Sequence, residues 1–148
     1  MMKLVPKKRA AIVSRYKDRS ENYPYFFYEE DPEETEYSKF ITDDLYSDDN
    51  VKWHYIVDDS TIVGICALAE EKDELWIKFI EISKRYQGNG YGSEAINYII
   101  DKTDKRLIRL FPKDENVGTN FYQKLGFKWL SDDEMYFLNW GPEPNAKN

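Results

Sequence analysis

The spacing of apolar residues changes character near residue 50 of the 148-residue chain. Residues 7–18 and 34–46 repeat their apolar side chains at helical spacing, which predicts two helices. After them come three segments rich in β-branched and aromatic residues, at 51–57, 61–68 and 75–82, with short polar turns between them. Because the turns are short, we expect these three strands to form an antiparallel meander.

The third of these strands changes its apolar phase part of the way along. Leu75, Ile77 and Phe79 would share one face, but the apolar positions then continue at Ile80 and Ile82. A slip of one residue is what a β-bulge produces, so we expect a bulge near residues 80–82. The alternative interpretation is a strand that is buried on both faces.

The second half of the chain alternates helix and strand. The pattern predicts a helix at about 91–103, a strand at 106–111, a short helix at about 117–125 that ends at Gly126, and strands at 128–130 and 135–140. Strand, helix and strand form a βαβ unit, so the strand at 106–111 should run parallel to the strand at 75–82. These elements predict a single α/β (α+β) domain over residues 1–140, with a disordered tail at 141–148.

The composition restricts the kinds of ligand and the cellular compartment that we expect for this protein. The chain has 21 basic and 28 acidic residues, a net charge of −7, which argues against nucleic acid as a ligand and favours cationic small molecules. Cys66 is the single cysteine, which suits a reducing, cytoplasmic compartment. We expect no membrane segment, because no apolar run approaches the roughly 20 residues of a span. No signal peptide is recognisable, and no cluster has metal-ligand spacing.

Three of the seven glycines fall at Gly88, Gly90 and Gly92, directly before the predicted helix, in the stretch YQGNGYGSEA. Glycine lets the backbone approach a ligand, and a helix start presents unpaired N–H groups and a partial positive charge. The stretch therefore predicts an anion cradle. A dinucleotide site would need a different glycine spacing, and a P-loop would need a Gly-Lys-Ser/Thr sequence that is absent. A tight turn without a ligand is the remaining alternative.

Two motifs together point to a family. The turn from Gln87 to Gly92 has the form Q-x-x-G-x-G, and FYQKLGF follows at 121–127. This pair resembles the GNAT superfamily of acyl-CoA N-acetyltransferases, and the resemblance covers roughly residues 51–140. It implies a mixed, mostly antiparallel sheet of six to seven strands flanked by helices. It also implies a V-shaped splay between the bulged strand 75–82 and the parallel strand 106–111.

The resemblance implies where coenzyme A would bind. Backbone amides of the glycine turn would bind the pyrophosphate, the Ser93 hydroxyl would assist, and the bulged strand would pair with the pantetheine arm. The implied cofactor-binding residues are Ile80, Ile82, Gln87, Gly88, Asn89, Gly90, Tyr91, Gly92, Ser93 and Asn116. Asn116 is displaced by one position from the family's pattern, which would place its asparagine at Glu115.

The resemblance also implies the chemistry. A primary amine would attack acetyl-CoA directly in a ternary complex without a metal, and Tyr122 would protonate the departing thiolate. Glu81 is the candidate general base because it lies beside the expected thioester, although an ordered water could replace it. We expect His54 to be structural and Cys66 to belong to the core.

The acceptor is expected to be cationic, because residues 23–34 combine aromatic and acidic side chains. A polyamine, an aminoglycoside or a lysine side chain of a protein or peptide would fit. Three alternatives to the enzyme remain, namely a non-catalytic CoA-binding regulatory module, a dinucleotide-binding protein and an interaction domain with an empty turn. The two C-terminal strands and exposed aromatic residues could support a homodimer.

Overall fold

The fold is organised around one sheet, seen in a computed structural model that describes residues 1–8, 48–112 and 121–145. The strands are β1 (Met2–Lys7), β2 (Val51–Asp58), β3 (Thr61–Glu70), β4 (Glu74–Ile82), β5 (Leu107–Leu110), β6 (Lys128–Trp129) and β7 (Met135–Leu138). Helix α1 (Tyr91–Lys102) follows a 3-10 turn at Lys84–Tyr86, and residues 121–124 are helical.

The strands lie in the order β1-β2-β3-β4-β5-β7-β6. The β4–β5 pair is parallel, and the other pairs of the described residues are antiparallel. The predicted meander, the parallel junction, helix α1 and the two C-terminal strands are confirmed. The seven-stranded sheet matches the expected mixed, mostly antiparallel architecture.

Strand β1 was not predicted. Lys7, expected to begin a helix, is the last residue of β1, which pairs antiparallel with β2 from Met2 opposite Asp58 to Lys7 opposite Trp53. A proline is tolerated here because β1 lies at the edge of the sheet. The rest of the helix expected at 7–18, apart from residue 8, lies outside the described residues, and so does the helix expected at 34–46.

The expected bulge in β4 exists, but it lies earlier in the strand. Phe79 pairs with Ala67, whereas Ile77 pairs with the next residue of β3, Leu68, so Lys78 is the extra residue. The prediction of a bulge is therefore confirmed, and its position near residues 80–82 is wrong. A bulge bends the strand that carries it and increases the local twist.

The bulge shifts the alternation of side chains along β4, so odd-numbered residues before and after it lie on opposite faces. Leu75 and Ile77 pack with Ile96 of α1, whereas Phe79 packs on the opposite face with Trp53, their ring centroids 6.2 Å apart. The expectation that Leu75, Ile77 and Phe79 share one face is wrong for this reason. Both faces of β4 carry buried or half-buried apolar residues on either side of the bulge, so the apolar pattern alone does not reveal where the faces exchange.

The parallel junction is short. The ladder between β4 and β5 runs from the Glu74–Leu107 pair to the Ile77–Leu110 pair, and among the described residues it has no further pairs. Strand β4 continues to Ile82, still paired with β3 on its other edge. The two strands therefore part at the bulge, as the predicted splay requires.

Helix α1 covers one face of the sheet. Its apolar stripe buries Ala95, Ile96 and Ile99 against residues of the central strands. Burying one isoleucine side chain typically stabilises a fold by about 1.5–3 kcal/mol, so this stripe holds the helix firmly in place. The position of the helix fixes where its N-terminus lies relative to the end of β4.

The first residues after position 140 have defined contacts. The Arg106 guanidinium donates a hydrogen bond to the Pro142 carbonyl at 2.6 Å, and the Tyr136 hydroxyl donates one to the Glu143 carboxylate. Residues 146–148 lie outside the described residues. The domain boundary at residue 140 and the disordered tail remain predictions.

Candidate active site

The glycine turn connects the end of β4 to α1 and leaves the space above it open. Gly88 and Gly90 both have φ of +82°, a conformation that favours glycine. A Cβ built on either residue would meet no atom within 4 Å. These two glycines are therefore explained by the backbone path, and the region beside them is free for a ligand.

Two polar side chains hold the shape of the turn from within. Gln87 donates its side-chain amide to the Ile82 carbonyl at 2.9 Å, and Asn89 donates its amide to the Tyr86 carbonyl at 3.0 Å. Both side chains are thereby occupied in fixing the turn to the end of β4. Their backbone N–H groups remain the part of these residues that could contact an anion.

The N-terminus of α1 carries no side-chain cap. Gly90 occupies the N-cap position, where it has no side chain to offer, and the first intrahelical bond runs from the Glu94 N–H to the Gly90 carbonyl at 3.0 Å. The N–H groups of the preceding residues in the first turn of the helix have no carbonyl of an earlier turn to bind. Together with the helix dipole, they form a site that favours an anion.

The third glycine has a packing role. A Cβ on Gly92 would lie 3.3 Å from the Phe121 ring and 4.0 Å from the Ile82 side chain. The absence of a side chain at residue 92 therefore lets the helix start approach the helical residues 121–124. This contact joins the two motifs that were recognised separately in the sequence.

The last residues of β4 are held closely by β3. A Cβ on Gly64 would lie only 2.3 Å from the Glu81 carbonyl oxygen, so this position requires glycine. Just beyond the strand, the Ser83 N–H donates to the Val63 carbonyl at 2.8 Å. Ile80 and Ile82 are half-buried on the face that α1 covers. On the other edge of β4 these residues have no partner in β5, because the β5 ladder ends at the Ile77–Leu110 pair.

Tyr122 is packed between aromatic rings. Its ring lies edge-on to Phe121 at 4.9 Å and to Phe127 at 5.6 Å between centroids. Burial raises the pKa of Tyr122 to about 12, so its hydroxyl keeps its proton at neutral pH, as a general acid requires. Gly126, at φ +101°, ends this helical segment as expected, and the Phe127 N–H bonds back to the Tyr122 carbonyl at 3.1 Å.

Glu81 lies on the other side of the sheet from Tyr122. It pairs with Ile65 in a regular part of β4, three residues after the bulge at Lys78, so its expected place on the bulge is wrong. Strand alternation from Phe79 puts Glu81 on the face opposite α1, whereas Tyr122 packs with the cluster on the α1 face. The two candidate catalytic groups therefore lie on opposite sides of the sheet.

The remaining described candidates, His54, Cys66 and Ser93, occupy different positions in the fold. His54 lines a cavity of about 370 Å³ beside the C-terminal end of α1, and burial lowers its pKa. Cys66 is fully buried, and burial raises the pKa of its thiol to about 12, which makes it unreactive. Ser93, half-buried, lies in the first turn of α1. Asn116 lies outside the described residues.

One contact of the turn was missed by the sequence reasoning. The Tyr91 hydroxyl, at the first residue of α1, donates to the Asp58 carboxylate at 2.8 Å, and this hydrogen bond raises the pKa of Tyr91. The contact ties the start of the helix to the end of β2. No sequence signal could have found it, because the two residues are 33 positions apart and neither belongs to a common motif.

Two further features are absent from the described residues, a metal-binding cluster and a membrane-spanning helix. Within residues 1–8, 48–112 and 121–145, no three His, Cys, Asp or Glu side chains are grouped so that they could hold a metal ion. None of the helices in the same ranges has the length and apolar character that a membrane crossing requires.

The uncapped start of α1 therefore lies beside the part of β4 that continues past its parallel neighbour β5. The model of the acetyltransferase (GNAT) family matches residues 13–127, well over half of the chain. The chain therefore belongs to the GNAT acetyltransferase family. A search of curated protein sequences finds no significant match.

Solved structures support the same fold at low sequence identity. The PaiA N-acetyltransferase of Thermoplasma acidophilum, solved with coenzyme A, is 17% identical with a TM-score of 0.62, over 93% of this chain and 99% of that one. A spermidine N-acetyltransferase SpeG variant from Vibrio cholerae is 18% identical with a TM-score of 0.58, over 93% of both chains. The KacTA–DNA complex is 15% identical with a TM-score of 0.58, also over 93% of both. At these identities the likeness concerns the fold.

Proposed function

We propose that this protein transfers an acetyl group from acetyl-CoA to a primary amine by direct attack in a ternary complex. The observation that carries the proposal is the open N-terminus of α1, uncapped at Gly90, beside the part of β4 that β5 does not cover. The two features provide an anion site and a strand edge next to each other. Coenzyme A has a pyrophosphate and an extended amide-containing arm, which match these two features.

The cofactor would lie along the α1 face. The N–H groups of the turn from Gln87 to Ser93 would bind the pyrophosphate, and the edge of β4 at Ile80 and Ile82, beyond the β5 ladder, would pair with the pantetheine amides. Asn116 is kept as a further candidate contact. The PaiA N-acetyltransferase, which has a similar fold and was solved with coenzyme A, supports coenzyme A as the cofactor.

The chemical step forms one bond and breaks another. The amine nitrogen attacks the thioester carbonyl carbon, the C–N bond forms, and the C–S bond breaks. Tyr122 would give its hydroxyl proton to the departing sulfur and take back the proton that the nitrogen loses as the amide forms. Burial raises the pKa of Tyr122 to about 12, so the hydroxyl is protonated at neutral pH. Before attack, the ammonium must lose a proton, for which Glu81 or an ordered water is the proposed acceptor.

The acceptor is proposed to be a cationic small molecule or an amine of a protein or peptide. The net charge of −7 supports a cationic substrate. The aromatic and acidic stretch at 23–34 that led to this expectation lies outside the described residues. A cytoplasmic location, a homodimer and the absence of nucleic acid among the partners belong to the same proposal.

Thermal unfolding with acetyl-CoA, CoA and NAD tests the cradle. A ligand at 100 times its dissociation constant stabilises the folded state by ~2.7 kcal/mol. For a chain of this size that raises Tm by roughly 8 °C. We expect a rise with both CoA species and none with NAD. No rise with either CoA species would contradict the proposal.

A matched pair of variants separates charge from backbone strain. Asp and Asn both tolerate positive φ better than other residues, so Gly88→Asn and Gly88→Asp should fold alike. The Asp carboxylate would repel the phosphates, and we expect Gly88→Asp to lose the CoA-induced rise in Tm while Gly88→Asn retains most of it. Equal rises in the two variants would place the pyrophosphate away from this turn.

A further inference from the structure

A pair of aromatic rings stands at the mouth of the gap between β4 and β5. Trp76 of β4 and Phe111, which directly follows β5, are stacked with their centroids 5.4 Å apart and an interplanar angle of 23°. Phe111 is 56% exposed, which is high for so large an apolar side chain. The ladder between the two strands ends at Leu110, the residue before Phe111. An exposed ring therefore borders the place where the strands part.

Charged neighbours fix this aromatic pair. The Arg109 guanidinium lies 4.3 Å from the centre of the Trp76 ring. It is held there by Glu74 at 2.9 Å and by the buried Glu134 at 2.6 Å. An arginine bound by two carboxylates has little freedom to move, so the indole and the Phe111 ring that stacks on it form a preorganised surface.

The aromatic pair is also bordered by the ammonium group of Lys78. The Lys78 ammonium lies 4.9 Å from the centre of the Trp76 ring, in addition to Arg109. In the described part of the chain, Lys78 forms no salt bridge with a carboxylate. A second ammonium of a polyamine placed here would be repelled by Lys78. A planar group without charge would instead gain stacking area on Phe111.

The surface lies on the side from which an acceptor would come. The cofactor of the proposed reaction occupies the α1 face, so the amine must approach the thioester from the opposite face. Trp76 packs with the cluster on that opposite face, and Glu81 lies on the same face farther along β4. Lys78 and Glu81 are three residues apart, about 10 Å along a strand. A single molecule could therefore place its amine near Glu81 and a planar group on Phe111.

We infer that the acceptor is a primary amine with a planar aromatic group that stacks on Phe111 at the mouth of the β4–β5 gap. This inference rests on the proposed acetyl transfer and narrows its substrate class to arylalkylamines. The ammonium that is to react faces Glu81, and the ring packs on the side where Lys78 excludes a second charge. Offset stacking between aromatic rings supplies affinity beyond that of area alone.

The test compares kcat/KM for tryptamine, phenethylamine, hexylamine and spermidine by release of the CoA thiol. We expect the wild type to prefer the two aromatic amines. Phe111→Ala should lower kcat/KM for tryptamine about tenfold, the loss expected for one aromatic contact, and change that for hexylamine less than twofold. Phe111→Tyr should restore the preference. Trp140→Ala, which removes another exposed aromatic side chain, should leave it unchanged.

The outcomes distinguish a failure of this inference from a failure of the proposed acetyl transfer. If the wild type acetylates hexylamine or spermidine as well as tryptamine, or if Phe111→Ala lowers all four values equally, the stacking role is overturned and acetyl transfer stands. If acetyl-CoA neither raises Tm nor yields any acetylated amine, the proposed function fails and the inference falls with it. Circular dichroism of each variant, with Phe111→Leu as a second replacement, shows whether a loss reflects folding.

Discussion

Gly64→Ala tests the close contact that holds the end of β4. The added Cβ would lie 2.3 Å from the Glu81 carbonyl oxygen and 3.1 Å from the Ile82 Cα. Both neighbours are backbone atoms, so neither can rotate away as a side chain would. The strands must therefore separate by about 1 Å to reach ordinary van der Waals distance.

The loss of stability in Gly64→Ala can be estimated from the overlap between the new Cβ and the backbone of β4. Adding a methyl group to a site without space for it typically destabilises a protein by about 1–3 kcal/mol. At ~3 °C of Tm per kcal/mol for a chain of this size, the expected drop is roughly 3–9 °C. Because the displaced residues include the strand edge proposed for pantetheine, we also expect KM for acetyl-CoA to rise severalfold.

Differential scanning calorimetry and steady-state kinetics measure the two effects. Gly64→Ser, which adds one atom more, should lower Tm at least as far as Gly64→Ala. A variant with wild-type Tm and wild-type KM would show that β3 and β4 do not pair in the register that places Gly64 opposite Ile82. The account of the bulged strand would then be wrong.

Three further changes probe the site and its support. Tyr122→Phe should lower kcat at least tenfold with little change in KM for acetyl-CoA, and an unchanged kcat would exclude Tyr122 as the acid. Because the pKa of Tyr122 is raised to about 12, the wild-type rate should show no alkaline loss due to this residue below pH 10. Tyr91→Phe removes the hydrogen bond to Asp58 and should raise KM for acetyl-CoA with kcat preserved, so a change in kcat alone would argue against a positioning role. Arg109→Met removes the ion pair between Arg109 and the buried Glu134 carboxylate and should lower the free energy of unfolding in urea by about 3–5 kcal/mol. A loss below about 1 kcal/mol would contradict a buried ion pair.

The parts of the fold that were predicted correctly have strong local patterns. Strands β2, β3 and β4 are separated by polar turns, and the α1 stripe of Ala95, Ile96 and Ile99 has a clear helical period. The path of the glycine turn was predictable for a different reason, because Gly88 and Gly90 have positive φ, a conformation that favours glycine. Strand β1 was missed because it is a short basic edge strand that contains Pro6.

The parts that were missed depend on contacts between distant residues. The bulge at Lys78 could not be located because apolar residues occupy both faces of β4, and its position decides which side of the sheet Glu81 faces. Arg109 looks like an ordinary polar strand position, yet its partners Glu74 and Glu134 are 35 and 25 residues away. Ion pairs of this kind have no spacing rule in the sequence, so only the folded arrangement reveals them.

The most direct test of acetyl transfer is to follow both products by mass spectrometry. Purified protein is incubated with acetyl-CoA and either tryptamine or spermidine, and free CoA and acetylated amine are quantified together. Our account predicts that the two products form in equal amounts, at a rate proportional to protein concentration. Free CoA without acetylated amine, or no product from any primary amine despite binding of acetyl-CoA, would contradict acetyl transfer at this site.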